Sequence, residues 1–351
     1  MSKEKKVKVW ISVLLAAFLL LATGGCGSEK AEDVAARKQK QEVKKTVIRF
    51  SQGLPEKHYI SSQMKDWADL ARQKSNGALE VQIYPSAQLY KDSDVNEAVM
   101  TGAVESAQGY SVYLAKMIPE MKILDSWFFI KNSEGLEKIY NMPIRERLDA
   151  ELEKKGIKAL VWLPWSQEDF GLVSTKQLKT PADAKGLTMR TLGPETSAYY
   201  VQYGINPSFL NGSEIYMGLQ RGVIQGAFAT VATSVERKLY EVAPHITLLP
   251  CGTMTSMVIV NKDFFDKLPP ELQKAMVDAG KEVESKSVAA AKANYENVIK
   301  EAEKLGVKVY RPTPEEMKLW EAPKEKVREE AYKNAPQLLK EIQEIEKIWA
   351  K

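Results

Sequence analysis

From residue 47 onward, segments patterned as strands alternate with segments patterned as helices. This order constrains the fold more than anything else in the chain. Residues 47–50 are β-prone and end at Gly53 and Pro55. Between 59 and 74, Ile60, Met64, Trp67, Leu70 and Ala71 recur with the period of a helix. Asn76-Gly77 makes a turn, and Leu79, Val81 and Ile83 alternate as a strand over 78–84. Asp92 or Ser93 can cap a helix carrying Val95, Val99 and Met100, which Gly102 closes. Further strands are expected at 157–163, 187–191 and 224–230, and the apolar run 254–261 reads as a strand buried on both faces. Helices are expected at 196–203 and 215–222, and a long one runs from Pro270 to about Leu305. Residues 207–210 and 307–311 read as extended, and 323–349 as one or two polar helices. The order is that of helices on largely parallel sheets. At this length it predicts an α/β fold of two lobes with an interlobe cleft and long C-terminal helices. Lobe I is expected at about 47–160 plus a later segment, lobe II at about 165–250, and linking and C-terminal helices at about 262–351.

The front end reads as an export signal. Lys3, Lys5, Lys6 and Lys8 precede fourteen uncharged residues, 9–22, a length that suits a signal peptide better than a membrane span. Thr23-Gly24-Gly25-Cys26 follows and resembles a bacterial lipobox, with Thr23 where a branched apolar residue is favoured. That resemblance implies a signal peptide over 1–25, lipid on Cys26, and a membrane-anchored tether over 26–46. The tether segment is rich in Lys, Glu, Gln and Ala and has no aromatic residue.

Charge and composition then exclude several classes. The formal charge is +4, of which Lys3, Glu4, Lys5, Lys6 and Lys8 supply +3, so the folded body is nearly neutral. Nucleic acid is not an expected partner, because phosphate binding needs concentrated positive charge. Two cysteines and two histidines support neither a disulfide scaffold nor a structural zinc site, and no metal or other cofactor is expected. Cys251 reads as a buried, inert thiol. Phosphate-loop, dinucleotide, zinc-protease and nucleophile-elbow motifs are all missing. An enzyme using Glu168, Asp169 or His245 remains the alternative class, without a motif to support it.

One block is more specific: Thr180-Pro181-Ala182-Asp183-Ala184-Lys185-Gly186-Leu187-Thr188-Met189-Arg190. It resembles the "TPEDLKGLKIR" signature of the DctP family, the substrate-binding proteins of tripartite ATP-independent periplasmic (TRAP) transporters. Pro85-Ser86-Ala87-Gln88-Leu89, Leu124-Asp125-Ser126-Trp127-Phe128-Phe129, Gly204-Ile205-Asn206-Pro207 and Glu214-Ile215-Tyr216 resemble family motifs in the same order. The likeness runs from about Thr46 to Val309. It implies a type II periplasmic-binding-protein fold that closes over a small organic acid and delivers it to TRAP permease subunits, outside the cytoplasm. An ABC-type or purely sensory binding lipoprotein is the rival within the binding class.

In the family the arginine of this strand clamps the ligand carboxylate, a role that falls on Arg190. A guanidinium fork matches carboxylate geometry and gains strength where water is excluded. Two departures bear on the ligand. A second arginine common in the family falls in 168–176, which here has none, and an amide-bearing position falls on Ala229. Fewer polar ligand groups are therefore expected than a sugar acid offers. Trp162, Trp165, Phe170 and Phe228 either form an apolar pocket for a monocarboxylate or pack core and hinge. The candidate ligand-binding residues are Arg190, Phe170, Asp169, Trp165, Phe228, Trp127, Tyr110 and Thr230.

Overall fold

The structure is a computed structural model that describes residues 45–349 apart from Lys131, Ser166 and Thr253. The expected signal peptide and Cys26 lie outside the described residues. Among those described there are eleven strands: β1 (Thr46–Ser51), β2 (Leu79–Tyr84), β3 (Ser106–Tyr110), β4 (Ile157–Pro164), β5 (Phe170–Ser174), β6 (Thr188–Thr191), β7 (Asn206–Phe209), β8 (Gly226–Thr230), β9 (His245–Leu248), β10 (Thr255–Asn261) and β11 (Lys308–Tyr310). They form two sheets, ordered β2-β1-β3-β10-β4 and β11-β9-β5-β8-β6-β7. Each is the floor of one lobe. Both are largely parallel, and each holds one strand running against its two neighbours, β10 in the first and β5 in the second.

Those two reversed strands follow the crossings between lobes. The chain leaves lobe I after β4 and enters lobe II at β5, then leaves after β9 and returns at β10. The crossings run side by side: Trp165 N donates to Met254 O at 3.1 Å and Leu249 N to Phe170 O at 2.9 Å. They are short, so they act as a hinge that holds the two lobes in register.

A 35-residue helix, Pro270–Lys304, spans both lobes. Its buried stripe (Leu272, Met276, Ala279, Val283, Ala291, Val298 and Ala302 among others) keeps the spacing of one helix face. The first half packs on helix Tyr59–Lys74 and β4, the second on helix Val231–Glu236 and β11. Gly280 is required at the closest approach, because a Cβ there would overlap the Leu160 carbonyl oxygen. Three further helices end the described chain: Pro314–Glu321, Lys324–Ala331 and Pro336–Trp349. Leu338, Ile342 and Ile345 of the last one bury against the lobe I core.

The expected strands and helices are present, with shifts of a residue or two at their ends. Three strands carry no expectation: β3, β5 and β9. The case of β3 is instructive. Its sequence, Ser106 to Tyr110, has no apolar alternation, yet all five residues are buried. Two of its polar side chains bond to the neighbouring strand, Ser106 Oγ donating to Ile259 O at 2.7 Å and Gln108 Nε2 to Ser256 Oγ at 3.0 Å.

Candidate ligand-binding site

The site is a cavity of about 40 Å³ closed between the lobes. Lobe I contributes Leu54, Asp92, Tyr110 and Tyr113; the crossings contribute Trp165, Phe170 and Met254; lobe II contributes Arg190, Leu192, Ala229, Thr230 and Arg237 among others. The lobes meet directly around it. Arg237 Nη2 donates to Gly53 O at 2.9 Å, Gly212 N to Asp92 Oδ2 at 3.3 Å, and Ser93 N to Asn211 Oδ1 at 3.1 Å.

Arg190 is 4% exposed. It stands on β6, whose parallel pairing with β7 and β8 fixes its position. Its Nε donates to Leu210 O at 2.9 Å and its Nη1 to Phe228 O at 2.8 Å. Both acceptors are neutral, and among the described residues Arg190 forms no ion pair. The guanidinium is thus held rigidly by groups that leave its charge available, as a carboxylate clamp requires. Tyr113 and Tyr110 flank it from lobe I. Burial raises the Tyr113 phenol to about 12 and that of Tyr110 well above its usual value, so both stay protonated donors. The Tyr110 hydroxyl lies beside the Asp92 carboxyl, next to Gly53.

The eight expected ligand residues separate into two groups. Arg190, Phe170, Trp165, Tyr110 and Thr230 line the cavity. Trp165 turns its Nε1 away, donating to Ser256 Oγ at 2.9 Å, and so presents its ring. The Thr230 hydroxyl caps helix Val231–Glu236 by accepting from Thr233 N at 3.0 Å. Phe228, Trp127 and Asp169 are not on the wall, which corrects the expectation for these three. Phe228 lies one layer behind, its ring stacked on Phe170 at 5.3 Å, and only its carbonyl reaches Arg190. Trp127 packs behind that, 4.6 Å from Phe228 and 4.8 Å from Tyr199. Asp169 is fully buried, bonded to the Ala232 backbone and to Asn294 Nδ2 at 3.4 Å, and burial pushes its carboxyl well above the usual range. The aromatic question therefore has a divided answer: Trp165 and Phe170 form the pocket, while Phe228 is core packing and Trp162 lies across the lobe I sheet under Arg145, 4.1 Å from its ring.

Two charged residues on the wall, Arg237 and Asp92, are not among the expected ligand residues. Arg237 follows helix Val231–Glu236 within a charged run, Glu236-Arg237-Lys238, that reads as a solvated helix end. Asp92 was expected as a cap for helix Val95–Met100. Asp94 takes the N-cap position instead, and the Asp92 carboxyl turns into the cavity toward Gly212 N. The pocket so holds a second guanidinium, supplied by an element other than the one where the family usually has it.

A cavity between two lobes, lined by aromatic side chains and a rigidly held buried arginine, is the architecture of a ligand receptor. Comparison with known proteins identifies which kind. The family described as bacterial extracellular solute-binding protein, family 7, matches residues 50–335. The chain belongs to this DctP family. The C4-dicarboxylate-binding periplasmic protein DctP of Rhodobacter capsulatus is 30% identical over 281 residues, covering 78% of this chain and 83% of the relative. The 2,3-diketo-L-gulonate-binding periplasmic protein YiaO of Escherichia coli is 28% identical over 287 residues, covering 80% and 87%. Among solved structures, a Bordetella pertussis extracytoplasmic solute receptor binding pyroglutamic acid superimposes with a TM-score of 0.81 at 23% identity, covering 86% of this chain and 99% of that one. A TRAP periplasmic solute-binding protein from Sulfurospirillum deleyianum with bound succinate gives 0.80 at 25% identity, covering 85% and 98%. DctP proteins are extracytoplasmic receptors, not an enzyme family. Cys251 is buried and burial raises its thiol well above its usual value, which keeps it inert. Among the described residues no cluster of His, Cys, Asp and Glu could hold a metal, and no helix is long and apolar enough to cross a membrane.

Proposed function

We propose that this DctP-family receptor captures a small monocarboxylate with an apolar or aromatic body, Arg190 gripping the carboxylate as the lobes close. The acid then passes to the permease of a TRAP transporter, with the receptor tethered to the membrane through lipid on Cys26. One observation carries the reading: Arg190 is buried at the cavity wall, fixed by the Leu210 and Phe228 carbonyls and in no ion pair among the described residues. A buried cation in that state is expensive unless something negative completes it. Trp165, Phe170, Leu54, Leu192 and Met254 supply apolar contact for the rest of the acid. Ala229 offers no amide, which disfavours a polyhydroxylated ligand. Closure follows differential affinity: the acid binds both lobes at once only in the closed state. No chemical step is involved.

Native mass spectrometry of the full-length protein, purified without unfolding, tests this reading together with titration against organic acids. A bound small acid is expected. Arg190→Ala should weaken its binding about a hundredfold or more, since it strips the partner from a buried carboxylate. A bound mass indifferent to Arg190→Ala, or preference for sugar acids over apolar acids, overturns it.

A further inference from the structure

The cavity wall holds three charged side chains rather than one. Arg190 comes from β6. Arg237 comes from the end of helix Val231–Glu236 in lobe II, and Asp92 from the loop after β2 in lobe I. They are a built arrangement. Arg237 Nη2 is fixed on Gly53 O and Asp92 Oδ2 on Gly212 N, each bond crossing between the lobes. Two glycines make room for it. A Cβ on Gly53 would overlap Asp92 Oδ1, and a Cβ on Gly212 would lie 3.2 Å from Asp92 Oδ2 and 3.3 Å from Arg237 Nη2. Only a residue without a side chain separates the acid from the second arginine.

Asp92 is 7% exposed, and its Oδ1 is buried without a hydrogen-bond partner. Burial raises its carboxyl above the usual range, and Arg237, Arg190, the Gly212 amide and the Tyr110 hydroxyl all draw it back toward the carboxylate. With Asp92 ionised the three groups sum to one positive charge. A monocarboxylate on Arg190 brings the closed cavity to neutrality. A second ligand carboxylate directed at Arg237 would meet Asp92 across Gly212, and like charges in a dry site repel strongly.

Resting on the proposed Arg190 clamp, we infer that Asp92 and Arg237 set the charge of the ligand: Asp92 is a resident carboxylate that occupies Arg237 and excludes dicarboxylic acids from the site. Arg237 is a second cationic subsite held in reserve by the protein's own acid. Removing the charge of Asp92 releases that subsite, and the receptor becomes one for dicarboxylates.

The test uses skeleton-matched trios and the full-length protein, stripped of ligand, with affinities read by calorimetry. Each trio holds a monocarboxylate, the malonate with the same side chain and the matching α-amino acid: propionate, methylmalonate and alanine; 4-methylpentanoate, isobutylmalonate and leucine; 3-phenylpropionate, benzylmalonate and phenylalanine. The wild type should bind at least one monocarboxylate at least tenfold tighter than its malonate. In Asp92→Asn that ratio should invert or shift at least tenfold toward the malonate. Arg237→Gln, which keeps Asp92, should weaken the monocarboxylate about tenfold and gain nothing for the malonate. Circular dichroism of each variant confirms its fold, and either variant alone decides the point if the other does not fold. A monocarboxylate bound through Arg190 with a malonate ratio unmoved by Asp92→Asn overturns this inference and leaves the clamp standing. Tightest binding of an amino acid, lost in Asp92→Asn, overturns it too, because Asp92 would then serve a ligand ammonium. Binding of no acid in any trio, or binding indifferent to Arg190→Ala, overturns the clamp and this inference together.

Discussion

At Glu236 burial works against ionisation and pushes the carboxyl up to about 8, with Arg237 pulling the other way. Its nearest cross-lobe neighbour is His58, whose Nε2 lies 3.9 Å from Glu236 Oε2. Burial and Arg237 together lower His58 to about 3. The ring is therefore neutral, with Nδ1 accepting from Ile60 N at 3.1 Å to cap helix Tyr59–Lys74. The two groups have opposite linkage. A carboxyl held above its unfolded value adds stability below about pH 4.5 that is lost as pH rises through 8. A histidine held below its unfolded value adds stability above about 6.5 that is lost as pH falls toward 3. Glu236→Gln should therefore melt higher than wild type near pH 8–9, and the gap should close toward pH 5; His58 titrates in both proteins and cancels from the difference. A gap of equal size at both pH values, read by calorimetric melting, would show that Glu236 is not neutral in the fold.

Among elements, the helix Pro270–Lys304 does most to fix the lobes. Its stripe was readable from spacing alone, because burial of one face imposes a 3.6-residue period whatever the partner is. What it packs against was not readable. Gly280 in mid-helix looks like a weak point, since glycine costs about 1 kcal/mol against alanine in a helix interior. In the structure it lets the helix lie directly on β4 at Leu160. Gly280→Ala should accordingly lower unfolding stability by about 1–3 kcal/mol through overpacking. A rise in stability on urea or thermal unfolding would mean that the close approach is not there. The strands behave differently from the helix. β10 was legible from its apolar run Met257-Val258-Ile259-Val260 because it lies in the interior of its sheet with both faces covered. β3 beside it was not, because sheet position and paired hydrogen bonds bury Ser106 and Gln108 as completely as they bury Ile259.

At the scale of the whole molecule, the proposed lipid anchor and the hinge are separate matters. A lipid on Cys26 would leave the folded body, which begins near Thr46, on a polar leash of about twenty residues. Wild type should then sediment with membranes through a high-salt wash, and Cys26→Ser should stay soluble with unchanged ligand affinity. Equal partitioning of the two proteins would remove the anchor. The hinge, by contrast, is purely a matter of tertiary placement. The interlobe bonds near the cavity are few, and each is worth roughly 0.5–1.5 kcal/mol. A bound acid with comparable preference for the closed state can therefore decide the equilibrium. By itself the sequence determined the two-lobed α/β order and the strand that carries Arg190. Periodicity and signature blocks are local, and local patterns survive in one dimension. Only the tertiary structure decided which of the eight expected residues line the cavity, since Phe228, Trp127 and Asp169 differ from Phe170 and Trp165 by a layer of packing and not by chemistry. It alone also brought Asp92 and Arg237, 145 positions apart in the chain, into one cavity. A charge reads as surface until two lobes close over it and make its neighbours, rather than water, set what it can bind.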